Sequence, residues 1–437
     1  MVSPELRTCF QPKHAVQFSE ALNQIKPRIS VIIPNFNHTQ FISRAIQSVL
    51  SQGYSSREII VVDDGSTDNS REVVAGFGRQ VRYIWQENQG LAGARNTGIR
   101  AASGEFIGLL DADDQWLPAY LEKMLLLADQ HPEAALYYCS AQGMDQDGRG
   151  LPQVFGGPAR PPQTMYQTLL RANFLIPSTI LMRRSVAIAK GLFDQSLRSC
   201  EDWDFWLRIL PEQEFVGSSE CLVRYRLHGD SLSTNPTGMQ QATRQVIEKH
   251  FGPDDGRWPN WSWEKRRAYG GVYRYHLLTS VQREDDWGKG MLFLRRALQV
   301  DPTLAEDLDL FYDLALGNQP PGFRGTSYQL NLKNNAAQIS SLLFRVFDST
   351  STPGMEVMRR QAYGTAFFAL GLVAYNTGQH SLSRHFFVRA LRFRSDLLPD
   401  RRLAANLIKS LLPPSLLEKA KRFKSRLPHQ LGSNSLQ

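Results

Sequence analysis

Along the first quarter of the chain, short unbroken apolar runs alternate with segments whose apolar residues recur every three or four positions. "RISVIIP", from Arg28, is β-branched and predicts a strand that leaves its ladder at Pro34, which has no N–H to donate. "TQFISRAIQSVLSQG" follows with Phe41, Ile42, Ala45, Ile46, Val49 and Leu50 at helical spacing, closed by Gly53. A second strand is expected over Glu58 to Val62, a short helix from Ser70 and a third strand at "VRYIWQ". A third helix at "GLAGARNTGIRAAS" then leads into a fourth strand at "EFIGLLDADD". Strand–helix alternation predicts a doubly wound α/β sheet of parallel strands. Strands covered on both faces should be near-continuously apolar, as "SVIIP", "IIVVD" and "FIGLLD" are.

Beyond about Thr234 the strand signal fades and helical periodicity takes over, so a second, all-α domain is expected. A faint repeat runs through it: Ala268-Tyr269-Gly270 matches Ala362-Tyr363-Gly364, and Arg296-Ala297-Leu298 matches Arg389-Ala390-Leu391. Paired helices with small residues in the first and "RAL" in the second resemble tetratricopeptide-type hairpins. At 437 residues the chain exceeds one ordinary core. We divide it into an N-terminal extension (1–27), an α/β domain (28–240) and a helical C-terminal domain (241–437).

Composition changes this picture little. Cys9, Cys139, Cys200 and Cys221 lie far apart without CxxC spacing, which suits a reducing cytoplasm rather than a zinc site or disulfide framework. No run approaches the ~20 apolar residues of a membrane span, and the N-terminus lacks the apolar core of a secretory signal. The net charge of +8 admits nucleic acid, anionic membrane or phosphate-bearing ligands. With no nucleic-acid-binding signature beside it, nucleic acid is not expected as a partner.

Three predicted strands end in polar clusters, "PNFN", "DDGSTDNS" and "DADD", and open α/β sheets bind ligands outside such carboxyl ends. Asp111 and Asp113, two apart on a strand, would face one side and suit a divalent cation, although Asp is also common in plain turns. Asp63 reads either as part of a turn with Asp68 or Ser66 capping a helix, or as an acceptor for a nucleobase N–H edge. Arg95 is a natural counter-ion for a diphosphate or for the Asp cluster. Glu201, Asp202 and Asp204 open a helix with an aromatic face, where acids are stabilising by ~0.3–1 kcal/mol each without any catalysis.

From Ile29 to Trp116, and more loosely to about Ser233, the chain resembles inverting family-two glycosyltransferases of the GT-A fold, which have a doubly wound mixed sheet. The resemblance implies that Pro34 and Phe36 border the nucleobase of a nucleotide-sugar donor and that Asp63 binds its edge. It places Asp111 near the ribose, with Ala112 beside it, and Arg95 in support. Asp113, with Asp111 and His228, would hold Mn²⁺ or Mg²⁺ on the diphosphate. Phe36 stands where the family often has Tyr, so a stacking face is kept and a hydroxyl contact is lost. In "SCEDWDFW" the resemblance makes Asp202 the general base and gives Glu201 a part in positioning the acceptor. The implied reaction moves a sugar, UDP-linked by family habit, to an acceptor hydroxyl of a glycan or lipid-linked chain with inversion, in polysaccharide, glycolipid or glycoprotein glycan assembly.

Two rivals stand beside it. A nucleotidyltransferase would also use strand-end carboxylates and metal but calls for a Gly-rich loop with Lys, which "PNFNHTQ" lacks. A non-catalytic scaffold would bind a partner through the helical half. The tail "PPSLLEKAKRFKSRLPHQL" sets Leu416, Leu417, Ala420, Phe423 and Leu427 on one stripe flanked by Lys and Arg. That pattern fits an amphipathic helix docked on its own domain, or peripheral contact with the inner face of the membrane from the cytoplasm.

Overall fold

The computed structural model describes residues 27–156, 159–229, 235–319, 330–348 and 353–411. It divides into two compact units, one ending at Val246 and one beginning at Ile247. Nearly all of the N-terminal extension and the whole tail stripe lie outside the described residues.

In the first unit the expected strands and helices form a parallel core. β1 (Ile29–Asn35), β2 (Arg57–Asp63), β3 (Arg82–Trp85) and β4 (Phe106–Leu109) lie in the order β3-β2-β1-β4, all parallel. They are joined by α1 (Thr39–Leu50), α2 (Ser70–Ala75) and α3 (Gly90–Ala101). Period-two alternation gives β1 two apolar faces. Ile29, Val31 and Ile33 share a core with Ile42, Ala45, Ile46 and Val49 of α1. Ile32 points the other way, to α3, where Gly98 lets the helix come so close that a Cβ would sit 2.3 Å from Ile32 Cγ2. Each such buried Ile or Val contributes about 1.5–3 kcal/mol. Pro34 does not end its strand: it still pairs in register with Val62, and Asn35 with Asp63.

Past β4 the sheet is no longer parallel, which corrects the expectation read from alternation. The chain continues through β5 (Gln115–Trp116), α4 (Tyr120–Gln130), β6 (Leu136–Met144), β7 (Gly150–Phe155) and α5 (Pro162–Arg171). It then forms β8 (Ile180–Arg183), α6 (Arg184–Ala189), α7 (Glu201–Ile209) and β9 (Phe215–Arg226). β8 is antiparallel to both β4 and β6, β9 is parallel to β6, and β5 and β7 pair antiparallel with β9 and β6. Helical crossovers enforce parallel pairing only on the strands they connect. The result is the doubly wound mixed sheet of the GT-A fold.

α8 (Pro236–Phe251) spans the division between the units. After it come α9 (Trp263–Gln282), α10 (Trp287–Val300), α11 (Leu308–Leu316), α12 (Leu332–Phe347), α13 (Pro353–Asn376), α14 (His380–Phe393) and α15 (Arg401–Leu411), with no strand among the described residues. The sequence repeat falls on two helical hairpins, α9 with α10 and α13 with α14. Ser262 and Asp286 start the first pair by accepting from Lys265 N and Lys289 N. Ala268, Ala297, Ala362 and Ala390 are fully buried. The repeated glycines occupy one structural role: a Cβ on Gly270 would meet Asp301 at 2.6 Å, and one on Gly364 would meet Arg394 at 2.5 Å. Asp301 and Arg394 each directly follow the second helix of their hairpin. No helix among the described residues is long and apolar enough to cross a membrane.

Candidate active site

The acidic stretch after β4 is a turn, closed by Asp114 N–H donating to the Asp111 carbonyl (3.0 Å). Asp111 and Asp113 therefore do not share one side of a strand, as their spacing suggested, because the strand stops at Leu109. The turn sends each acid to a different partner, which relieves the repulsion between them. Asp111 Oδ1 accepts from Arg95 Nη2 (2.7 Å). Asp113 Oδ2 lies 2.9 Å from His228 Nε2. Asp114 turns inward, accepting from the Arg226 N–H (2.9 Å) and the Ser178 hydroxyl. Burial, with the charges of Asp113 and Asp111 adding to it, raises the Asp114 pKa well above the usual carboxylate range. Trp116 anchors the turn from below, its ring against Gly108 and stacked on Tyr120 (3.9 Å), its Nε1 donating to Ser178 O (2.8 Å).

Arg95 links this turn to the second acidic cluster. It is 1% exposed, and its Nη1 donates to Glu201 Oε1 (2.6 Å) while Nη2 holds Asp111. Burial works against its charge, but Asp111 and Glu201 outweigh that and raise its pKa. Such a pair contributes little net stability while complete, yet removing one partner strands a buried charge at a cost of about 3–5 kcal/mol. Glu201 is buried at the start of α7, and Asp202 beside it keeps some exposed surface. The helix begins from Cys200, whose backbone is left-handed (φ 60). Asp202 Oδ1 accepts from Trp203 N (2.7 Å) and Oδ2 from Asn173 Nδ2 (2.9 Å). Burial first, then the Glu201 charge, raises the Asp202 pKa to about 7, against the opposing pull of Arg95 and the two hydrogen bonds. Asp204 faces the interior and pairs with Arg208 (3.0 Å).

At the tips of β1 and β2 the register sets Asn35 beside Asp63. Asp63 is buried; Oδ1 accepts from Ser66 N (2.8 Å) and Oδ2 from the Tyr83 hydroxyl (2.6 Å). Burial and the Asp63 hydrogen bond raise the Tyr83 pKa. Pro34 and Ala112 are buried, whereas Phe36 is 45% exposed, an open aromatic face directly past the strand. Asp68 ties the starts of two helices together, accepting from Thr39 N (2.9 Å) and Ser70 N (3.0 Å).

Among the described residues no three His, Cys, Asp or Glu side chains form a closed metal cage. The donor set nonetheless fits a hard divalent cation. Asp111 and Asp113 are partly exposed carboxylates, each with one oxygen committed and the other without a protein partner among the described residues. Mg²⁺ and similar ions are commonly held by one or two carboxylates plus substrate phosphates. His228 also packs its ring near Phe41 (5.5 Å) and His38 (6.2 Å).

Of the residues singled out in the sequence, Arg95, Asp111, Glu201 and Asp202 meet in one chain of contacts, and Asp113 meets His228. Phe36 and Asp63 share the neighbouring strand tips. Sequence reasoning missed Tyr83, Asn173, Ser178 and Arg226. Each is a single polar residue whose partner lies 20 to 112 positions away, and no local period marks it.

Comparisons with known proteins identify the family. The family model described as "Glycosyl transferase family 2" matches residues 30–189, stopping short of α7. An uncharacterized glycosyltransferase of Rickettsia typhi, RT0329, is 32% identical across 49% of this chain and 68% of its own length. A putative teichuronic acid biosynthesis glycosyltransferase of Bacillus subtilis, TuaG, is 30% identical across 52% of this chain and 91% of its own. Among solved structures, S. aureus TarS 1-349 in complex with UDP aligns over 80% of this chain and 92% of that one, at 18% identity and a TM-score of 0.45. Similarity to relatives covered over two thirds of their length and more makes this chain a member of glycosyltransferase family 2, and the protein a glycosyltransferase.

Proposed function

We propose that the protein transfers a sugar from a nucleotide-diphosphate donor, a UDP-sugar first among candidates, to an acceptor hydroxyl with inversion at the anomeric carbon. One observation carries this reading: Arg95 joins the Asp111 turn, suited to the donor, to the start of α7, where Asp202 has a carboxylate of raised pKa and some free surface. A carboxylate ionising near pH 7 is matched to accepting a proton from a hydroxyl. Asp202 takes that proton as the acceptor oxygen attacks and the nucleoside diphosphate departs. Phe36 stacks the base and Asp63, already oriented by Ser66 and Tyr83, takes its edge. Asp113, with Asp111 and His228, would hold Mn²⁺ or Mg²⁺, which stabilises charge on the leaving diphosphate when bound. Glu201 has almost no free surface, so it serves the acceptor side through Arg95 and Asp202 rather than by contact.

The acceptor we propose is a growing glycan or lipid-linked chain in cell-envelope polysaccharide assembly, in keeping with the teichuronic acid biosynthesis for which TuaG is named. Peripheral contact with an anionic membrane belongs to the same reading and is supported by the charge of the last residues. Residues 353–437 hold 14 Lys and Arg against 4 Asp and Glu.

The test is a donor screen with UDP-, GDP-, dTDP- and CMP-sugars, with and without Mn²⁺, beside Asp113→Ala and Asp202→Asn. We expect metal-dependent binding of one nucleotide class that Asp113→Ala abolishes. Asp202→Asn should still bind donor and lose roughly 10²–10⁴-fold in turnover, the usual contribution of a general base. Failure to bind any donor with any metal would overturn the reading.

A further inference from the structure

Asn173 lies in the loop after α5, 29 residues before the acid it touches. Its side-chain amide is engaged at both ends. Oδ1 accepts from Leu175 N (3.2 Å), and Nδ2 donates to Asp202 Oδ2 (2.9 Å). The amide cannot be turned over without setting two donors, and then two acceptors, against each other. Asp202 Oδ1 takes its own hydrogen bond from Trp203 N (2.7 Å). The carboxylate is thus held by one N–H from its own helix and one from a separate loop.

The charged and titratable groups facing Asp202 are Glu201 and Cys200 from its own segment and Arg95 from α3. Arg95 is already committed to Glu201 and Asp111. A cationic donor in place of Asn173 would fix the carboxylate equally well but would strip it of proton affinity. A neutral amide orients it at a smaller loss of basicity.

We propose that Asn173 is the positioning residue of this site, its Nδ2–H clamping Asp202 Oδ2 so that the remaining lone pairs of the carboxylate meet the acceptor hydroxyl in a fixed direction. The proposal rests on Asp202 being the general base. The competing role is local: Asn173 merely closes its own turn through Leu175, as Asn often does. Asn173→Asp separates the two roles. It retains the Oδ1 acceptor for Leu175 N and replaces the donor to Asp202 with a second acceptor.

The experiment follows the Asp202 carboxyl by carbon NMR in the full chain labelled at the aspartate carboxyl carbons, without ligand, with the signal assigned by its loss in Asp202→Asn. UDP-glucose hydrolysis with Mn²⁺ is read alongside across pH. In Asn173→Ala the Asp202 midpoint should rise by about one pH unit, the size of one lost hydrogen bond to a charged group. Asn173→Asp should raise it further, and the acidic limb of hydrolysis should move the same way, with the KM for UDP-glucose held within about twofold. An unmoved midpoint in Asn173→Ala, with Asn173→Asp shifting by charge alone, overturns the clamp. Full turnover in Asp202→Asn would instead sink the base assignment, whatever the Asn173 variants do.

Discussion

Asp202 is pulled in two directions, and the balance has a consequence that needs no substrate to observe. Burial and Glu201 resist its ionisation while Arg95, Asn173 and Trp203 N favour it, and the net effect is a pKa raised to about 7. The folded state therefore holds this proton more tightly than the unfolded chain does. Whatever stability that proton supplies is fully present below about pH 4 and is lost as pH rises toward 7. Asp202→Asn, which cannot ionise, should show no gain in melting temperature near pH 4, a growing gain up to about pH 7 and a plateau above it. A pH-independent difference in melting temperature would refute the raised pKa. At this scale the sequence was informative where a residue belonged to a motif. Asp113, Asp202 and Arg95 stand in stretches that resemble their family, whereas Asn173, Tyr83 and Ser178 act through contacts between distant segments that no spacing encodes.

Among the elements, α3 matters most to the site, because it carries Arg95 and is seated on β1 and β2 through Gly98. Gly98→Ala would place a methyl 2.3 Å from Ile32 Cγ2 and 3.3 Å from Val62 Cγ2, inside a core already full. Overpacking of this kind costs about 1–3 kcal/mol, and relief by lifting α3 would pull Arg95 from Asp111 and Glu201. We expect Gly98→Ala to lower both the melting temperature and donor turnover, while a surface change such as Arg100→Ala leaves turnover intact. Equal activity in Gly98→Ala and wild type would show that the seating of α3 does not govern the site. The parallel core was legible because its strands are apolar on both faces and separated by periodic helices. The antiparallel half was not, since an apolar run says that a strand is buried and nothing about the direction of its neighbour.

Taken whole, the chain carries its net charge unevenly. Residues up to Val246 carry 23 Lys and Arg against 25 Asp and Glu, and those from Ile247 onward carry 27 against 17. Basic side chains near an anionic bilayer contribute about 1 kcal/mol each, screened by salt. The full chain should co-sediment with phosphatidylglycerol vesicles at low ionic strength and be released at high salt, and a chain ending at Leu412 should not bind; equal sedimentation of the two would remove the tail from the membrane role. Within the second unit the asymmetry sharpens, for residues 247–352 are balanced at 13 against 13 and the whole excess falls in the remainder. Here the glycine seats of the two hairpins acquire a further meaning. The same close approach accepts the stem of an acid, Asp301, in one hairpin and of a base, Arg394, in the other. What the two hairpins share is a close approach to a glycine, and what differs is the charge of the side chain that makes it. A side chain of either sign can therefore fill the seat without altering how closely it meets the glycine.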